Sequence, residues 1–257
     1  MPMSKAPPIY PQVVVGYVEN ERGEDARALA GRIVERDGGE LKIVQVEKGS
    51  PSDALQALAE KGEADLIVLG STHHAHVGSI SPGSVAEHLL HGARCRLAIA
   101  PKGYGQTDHS EDRMRVAAVG FNGMAESLAA LDEAAKLASK FGASLRVIGV
   151  GTPVPATGTV AAMQAGAEAG PDFQTQLNNA VAELPPELRA LPVFERGDPV
   201  EKLLEAAEMG VALLVLGSRG FGPVLRLLIG SVSSRVIREA PCPVLVVPRP
   251  GSTPYDP

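Results

Sequence analysis

The strongest constraint on what this 257-residue chain can fold into is that it is written twice. Residues 46–71 (VEKGSPSDALQALAEKGEADLIVLGS) lie over 193–218 (VFERGDPVEKLLEAAEMGVALLVLGS) with a one-residue slip. Glu47, Gly49, Pro51 and Leu55 then fall on Glu195, Gly197, Pro199 and Leu203. Residues 83–101 lie over 230–248, setting Cys95 on Cys242 and Pro101 on Pro248. The openings match too: 12–46 follows 115–150, with Gly16 over Gly120 and Gly38 over Gly142. Self-similarity on this scale means two copies of one folding unit. The copies are unequal, because about 44 residues, 151–194, occur only in the second. Either the first half has lost a strand–helix unit or the second has gained one.

Periodicity identifies the unit. Short β-branched runs (VVV, IVQV, LIVL and RLAIA, then VAAV, RVIGV, LPVFE, LLVLG and PVLVV) alternate with helical patterns of about 10 to 15 residues, which predicts βαβ units around a parallel sheet. The runs are near-continuously apolar, so both faces of the sheet should be covered. Residues 53–61, 125–140 and 200–208 read as amphipathic helices. Gly49-Ser50-Pro51 and Gly197-Asp198-Pro199 read as helix starts, with Ser50 and Asp198 as N-caps and proline at the first helical position. The Gly/Ala/Pro/Thr-rich segment 151–171 reads as a long loop, and the polar run 103–113 as the join between halves. The boundary is set near Asp108, giving domains 1–107 and 108–257.

Charge and composition exclude several classes. A net charge of −6 without a Lys/Arg run argues against nucleic acid as a partner. No tryptophan and 4% aromatics leave no platform for stacked bases. No segment approaches the roughly 18 to 20 apolar residues of a membrane span, and the opening MPMSKAPPIYPQ lacks an apolar signal core. A cytoplasmic protein that does not engage membrane is expected. Cys95 and Cys242 have no metal-ligand spacing, and a reducing compartment argues against a bridge, so they read as small buried side chains.

The chemistry concentrates in 216–236, LGSRGFGPVLRLLIGSVSSRV. Leu213 to Leu216 end a buried strand, and Ser231 begins a helix whose Val232, Val236 and Ile237 face the sheet. In open α/β sheets, ligands sit beyond the carboxyl ends of the strands. Glycines at 217, 220 and 230 admit a ligand close to the backbone. The helix start at Gly230-Ser231 offers free N–H groups and a positive dipole end, Ser231 and Ser233 add hydroxyls, and Arg219 can supply a counter-charge. These features suit a phosphate. They also suit a plain turn with Ser231 as N-cap.

The spacing of Gly217, Gly220, Gly230 and Ser231 resembles the G-2x-G-9x-G-(S/T) pattern of the universal stress protein family, and CPVLVV (242–247) resembles that family's last strand. Both halves are covered, so the chain resembles a tandem member. The resemblance implies an α/β fold of two universal-stress-protein-like (adenine nucleotide alpha hydrolase-like) domains with parallel sheets, the first shortened by a strand–helix unit. The two domains would mimic the family's dimer, each complete sheet having strand order 3-2-1-4-5.

The same resemblance implies ATP or a related adenine nucleotide, with or without Mg2+, as a regulatory ligand of the second domain. Gly217, Arg219, Gly220, Gly230, Ser231, Val232 and Ser233 would line the triphosphate and ribose, Val150 would lie near the adenine, and 151–171 would cover the site. ATP-binding members carry an aspartate at the end of the first strand. Here Gly120 stands there, with Asn122 the nearest substitute. The first copy, GSTHHAHVGSISPGS (70–84), keeps Gly70, Gly83 and Ser84 but has His73 in place of the middle glycine, and Gly16 in place of the aspartate. No nucleotide is expected in the first domain, which becomes an intramolecular structural partner. The final strands, 96–100 and 243–247, are the surfaces expected to pair. An unknown protein partner is implied, and the association of two chains as a homodimer stays open.

His73, His74 and His76 could hold a divalent ion, but no carboxylate or cysteine stands at a familiar ligand spacing, so an exposed polar loop is expected and no metal. HxGH, SGGxDS and GxxxxGK[ST] motifs are absent, as is an assignable Ser-His-Asp arrangement, so no catalysis beyond slow hydrolysis of bound ATP is expected. The remaining alternative is a stress-response scaffold that binds no nucleotide and works through protein association.

Overall fold

The computed structural model describes residues 6–46, 49–72, 76–91, 95–107, 115–151, 171–218 and 230–248. The first half runs β1 (Gln12–Tyr17), α1 (Glu21–Asp37), β2 (Glu40–Gln45), α2 (Pro51–Glu60), β3 (Leu66–Gly70), α3 (Ser84–Leu90) and β4 (Arg96–Ala100). The second runs β5 (Val116–Phe121), α4 (Ala125–Phe141), β6 (Ser144–Gly151), α5 (Pro171–Ala182), β7 (Leu191–Arg196), α6 (Pro199–Glu208), β8 (Leu213–Gly217), α7 (Ser231–Glu239) and β9 (Val244–Val247). The extra residues of the second copy therefore hold α5 and β7, where the first half passes from β2 straight to α2. The predicted loop 151–171 is trimmed at both ends, since Gly151 closes β6 and Pro171 opens α5. Its interior and the boundary near Asp108 lie outside the described residues.

The strands form one sheet in the order β2-β1-β3-β4-β9-β8-β5-β6-β7. Counted within the second half, this is the expected 3-2-1-4-5 arrangement. The two parallel sheets expected from sequence are joined rather than separate. β4 and β9 pair antiparallel, with Leu97 opposite Val246, Ala98 opposite Leu245 and Ile99 opposite Val244, while the other strand pairs are parallel. The final strands thus pair inside the chain, as their apolar character suggested.

Alternation along the strands feeds two helical layers. Val13, Val15, Leu66, Val68, Val119, Leu145 and Val147 pack with α1, α4 and α5 through Leu29, Ile33, Leu131, Leu137 and Leu177. Val14, Ile67, Leu69, Leu97, Ile99, Leu214, Leu216, Val244 and Val246 pack against α2, α3, α6 and α7 through Leu55, Leu89, Leu203, Val236 and Ile237. Sequence signals set the helix ends. Ser50 Oγ accepts from Asp53 N, and Asp198 accepts from Val200 N and Glu201 N, each followed by proline. Gly38 and Gly142, aligned in the two copies, end α1 and α4 at φ 89° and 67°, a left-handed conformation that costs glycine little.

Polar side chains lock the halves together beneath the sheet. Glu133 of α4 is 2% exposed and accepts from the Tyr10 hydroxyl at 2.6 Å and from Arg96 Nε and Nη2 at 3.0 and 3.1 Å. Burial, followed by the charge of Glu133, raises the Tyr10 pKa well above its ordinary value. Asp37, also buried, accepts from the backbone N–H groups of Ile9 and Tyr10. On the other face Arg238 of α7 reaches Glu87 of α3 at 3.5 Å. Cys95 and Cys242 are buried and form no disulfide, and burial pushes the Cys95 thiol up to about 12. Among the described residues no helix is long and apolar enough to cross a membrane.

A candidate ligand cleft at the carboxyl end of the second-half sheet

Beyond the carboxyl ends of β5, β6 and β8 lies a cleft of about 440 Å³. Its floor is Gly120 and Phe121 of β5, Ile148 and Val150 of β6, and Leu216 and Gly217 of β8. The walls come from the start of α4 (Met124, Glu126, Ser127), from Pro199 and Leu203 of α6, and from Gly230, Ser231, Val232 and Ser233 at the start of α7. Asn122 lines the same space. Of the residues singled out from sequence, Val150, Gly217, Gly230, Ser231, Val232, Ser233 and Asn122 are therefore brought together. Arg219 and Gly220 lie outside the described residues.

Two helix N-termini open onto this cleft without side-chain caps. The N-cap of α7 is Gly230, not Ser231, and Ser231 is its first helical residue. The N-cap of α4 is Met124. By contrast α1, α2 and α6 are capped by Asn20, Ser50 and Asp198. An uncapped first turn leaves backbone N–H groups to solvent or ligand, and the aligned peptide dipoles add partial positive charge there. Ser233 is partly committed, as its hydroxyl donates to Gly217 O at 3.3 Å. The carbonyl of Asn122 is committed as well, accepting from Met124 N at 3.0 Å in the β5–α4 turn. That bond engages one of the oxygen's two acceptor positions in the turn, and the amide is neutral where a carboxylate would carry charge.

Gly217 has a structural duty that the sequence did not reveal. A Cβ there would run into the Glu126 carbonyl of α4, just as one at Gly70 would run into the Arg22 carbonyl of α1. Close helix–strand packing therefore requires these two glycines whether or not a ligand is bound. At the end of β5, a Cβ on Gly120 would lie 3.1 Å from Leu216 Cδ2 and 3.5 Å from Leu203 Cδ2, so these leucines lean over the position where the resemblance had implied an aspartate.

The first-half counterpart is a smaller cleft of about 120 Å³, lined by Gly16, Tyr17, Arg22, Val44, Val46, Leu55, Leu69, Gly70 and Gly83 among others. A Cβ on Gly16 would meet Leu69 Cδ2 at 2.5 Å and Leu55 Cδ1 at 2.9 Å, so the aligned leucine pair closes in further there. Sites for small molecules usually occupy about 300–1,000 Å³, a range that takes in the second cleft and leaves out the first. His73 and His74 lie outside the described residues. Among the described residues no group of three or more His, Cys, Asp and Glu is gathered as a metal would need.

Sequence reasoning overlooked Glu126, Met124 and Ser127. All three lie just after β5, and the carboxyl-end rule applied to that strand as well as to β8 would have flagged them.

Comparison with known proteins agrees with this architecture. The sequence model of the universal stress protein family matches residues 4–101 and again 114–248. A universal stress protein of Mycolicibacterium smegmatis is 30% identical over 234 residues, spanning 89% of this chain and 78% of the relative. One from Mycobacterium tuberculosis is 29% identical over 221 residues, spanning 82% and 74%. The crystal structure of a universal stress protein from Archaeoglobus fulgidus superposes with a TM-score of 0.58 at 21% identity, covering 88% of this chain and 77% of that one. That last likeness is one of fold.

Proposed function

The chain belongs to the universal stress protein family, and from that premise we propose that its second-half cleft binds ATP or a related adenine nucleotide as a regulatory ligand. The observation that carries the reading is the start of α7. It opens uncapped, through Gly230, directly over the carboxyl end of β8, in the cleft of nucleotide size. In this reading the N–H groups of Ser231, Val232 and Ser233 donate to phosphate oxygens, and Val150, with Ile148 beside it, offers an apolar seat for the adenine. By the spacing of the glycine motif, Arg219 and Gly220 would belong to the phosphate side. Mg2+ would enter as the counter-ion of the phosphates, and Glu126 is the acidic residue among those lining the cleft.

The division of labour is one domain, 108–257, that holds the ligand and one, 1–107, that serves as its fixed partner across β4 and β9. The setting proposed is the cytoplasm, in keeping with two buried thiols. Bound nucleotide would bias association with a protein partner, and the protein would act as a ligand-regulated adaptor rather than as an enzyme.

A pair of matched substitutions tests the assignment. Val150→Trp fills the adenine end of the second cleft, and Val46→Trp does the same at the aligned position of the first. Titration calorimetry with ATP and Mg2+ should show binding by the wild type and by Val46→Trp, and at least tenfold weaker binding by Val150→Trp, the change expected when about 1.4 kcal/mol of contact is lost. Binding lost in Val46→Trp but kept in Val150→Trp would assign the nucleotide to the wrong half. No binding by the wild type would leave association alone as the function.

A further inference from the structure

The duplication allows one surface to be compared with and without its cover. β2 aligns with β6, so that Leu41 and Ile43 are the counterparts of Leu145 and Val147. Leu145 and Val147 are 0% exposed, in a layer shared with Phe173 and Leu177 of α5. Leu41 and Ile43 are 37% and 49% exposed. Their register partners on β1 are Val13 and Val15, which places them on the face of the sheet that α1 covers. On that face the second half adds α5, and at the edge of the same strand it adds β7. Among the described residues the first half has neither, and β2 ends the sheet. An apolar pair thus lies beside an unpaired strand edge, and exposed edges of this kind recruit other strands unless they are blunted.

The charges on β2 select the occupant. Glu40 and Lys42 alternate with Leu41 and Ile43, and both are exposed. If a second β2 runs antiparallel about a twofold axis through Leu41, directly opposed residues share a face. Leu41 then meets Leu41 of the partner copy, Glu40 meets Lys42 and Lys42 meets Glu40. Ile43 falls opposite Gly39, which has no side chain to crowd it. An axis through Lys42 would oppose two ammonium groups, and one through Ile43 would set Lys42 against Val44. Only the first register offers two opposite-charge pairs and a self-complementary apolar contact, the requirements of an isologous interface. Lys42 also lies 3.9 Å from Glu63 of its own chain, a long contact between exposed groups that leaves ammonium donors for the second carboxylate.

We propose that β2 is a self-association edge, through which two copies of this chain pair antiparallel about Leu41 and continue the sheet from one chain into the next. This interface is separate from the β4–β9 junction, which is already satisfied within each chain, and it does not depend on the nucleotide reading.

Sedimentation velocity of the full chain over the micromolar range tests it. The wild type should dimerise reversibly. Glu40→Lys and Lys42→Glu should each raise the dissociation constant about tenfold or more, because each turns two cross-strand attractions into repulsions. The double exchange, Glu40→Lys with Lys42→Glu, should restore dimerisation, since the opposed charges are again complementary. Both side chains are exposed, so the variants should keep the wild-type circular dichroism spectrum. A wild type that stays monomeric throughout, single variants that dimerise as well as the wild type, or a double variant as weak as the singles would each overturn the proposal.

Discussion

Replacing Glu133 with alanine should uncouple the two halves more than any other single truncation in α4. The carboxylate is buried and belongs to the second half, yet its partners, the Tyr10 hydroxyl at 2.6 Å and the Arg96 guanidinium at 3.0 and 3.1 Å, belong to the first. Breaking a buried ion pair from one side costs about 3–5 kcal/mol, and stranding a buried hydroxyl costs about 1–3. The Arg96 side chain keeps 23% exposure, so water partly compensates it and the lower ends apply, about 4 kcal/mol in all. For a chain of this size that corresponds to a fall in Tm of about 8–16 °C. The assay is thermal unfolding by calorimetry, with Tyr10→Phe and the double variant completing a cycle. Tyr10→Phe should cost less alone, and the double variant should be milder than the sum, because the hydroxyl and carboxylate are lost together. A loss below about 1 kcal/mol for Glu133→Ala, or strict additivity in the cycle, would refute the claim that this cluster ties the halves.

Three further outcomes follow from the same geometry. Burial holds the Cys95 thiol at about 12, so iodoacetamide at about pH 8 should leave it unmodified in the native protein and alkylate it in denaturant; rapid native modification would mean the thiol is accessible. Tyr10 has a folded pKa above its unfolded value of about 10, so its stabilisation is complete below that pH and is lost as pH rises beyond it. Tyr10→Phe should accordingly flatten the alkaline decline in urea midpoint, and a wild-type midpoint constant through that window would contradict the linkage. Gly217→Ala should destabilise by about 1–3 kcal/mol in urea titration, because the new methyl meets the Glu126 carbonyl; an unchanged midpoint would show that α4 can yield.

Most of the architecture was legible because it rests on local and repeated signals. The alignment of Gly38 with Gly142, the Ser50 and Asp198 caps and the apolar strand runs each depend on a few neighbouring residues, and each recurs in both copies. The missing strand–helix unit was visible as a length difference. The convergence of Gly217 and the start of α7 followed from the carboxyl-end rule, and that of Val150 and Asn122 from the family resemblance. What sequence could not supply were contacts between distant segments. Tyr10 and Glu133 are 123 residues apart and Arg96 and Glu133 are 37 apart, with no motif to link them. The closing of the first cleft by Leu55 and Leu69 under Gly16 is a packing outcome, although His73 had drawn attention to the same cleft for another reason. Gly217 read as a place for a ligand, and its tight fit to α4 emerged only in three dimensions.

The central claim is that a duplicated chain carries one nucleotide site, in the larger of two homologous clefts. Calorimetric titration of the intact wild-type chain with ATP in the presence of Mg2+ measures this directly as a stoichiometry. The account predicts one nucleotide per chain. Two per chain would contradict the closure of the first cleft by Leu55 and Leu69, and none at millimolar nucleotide would contradict the reading of the second.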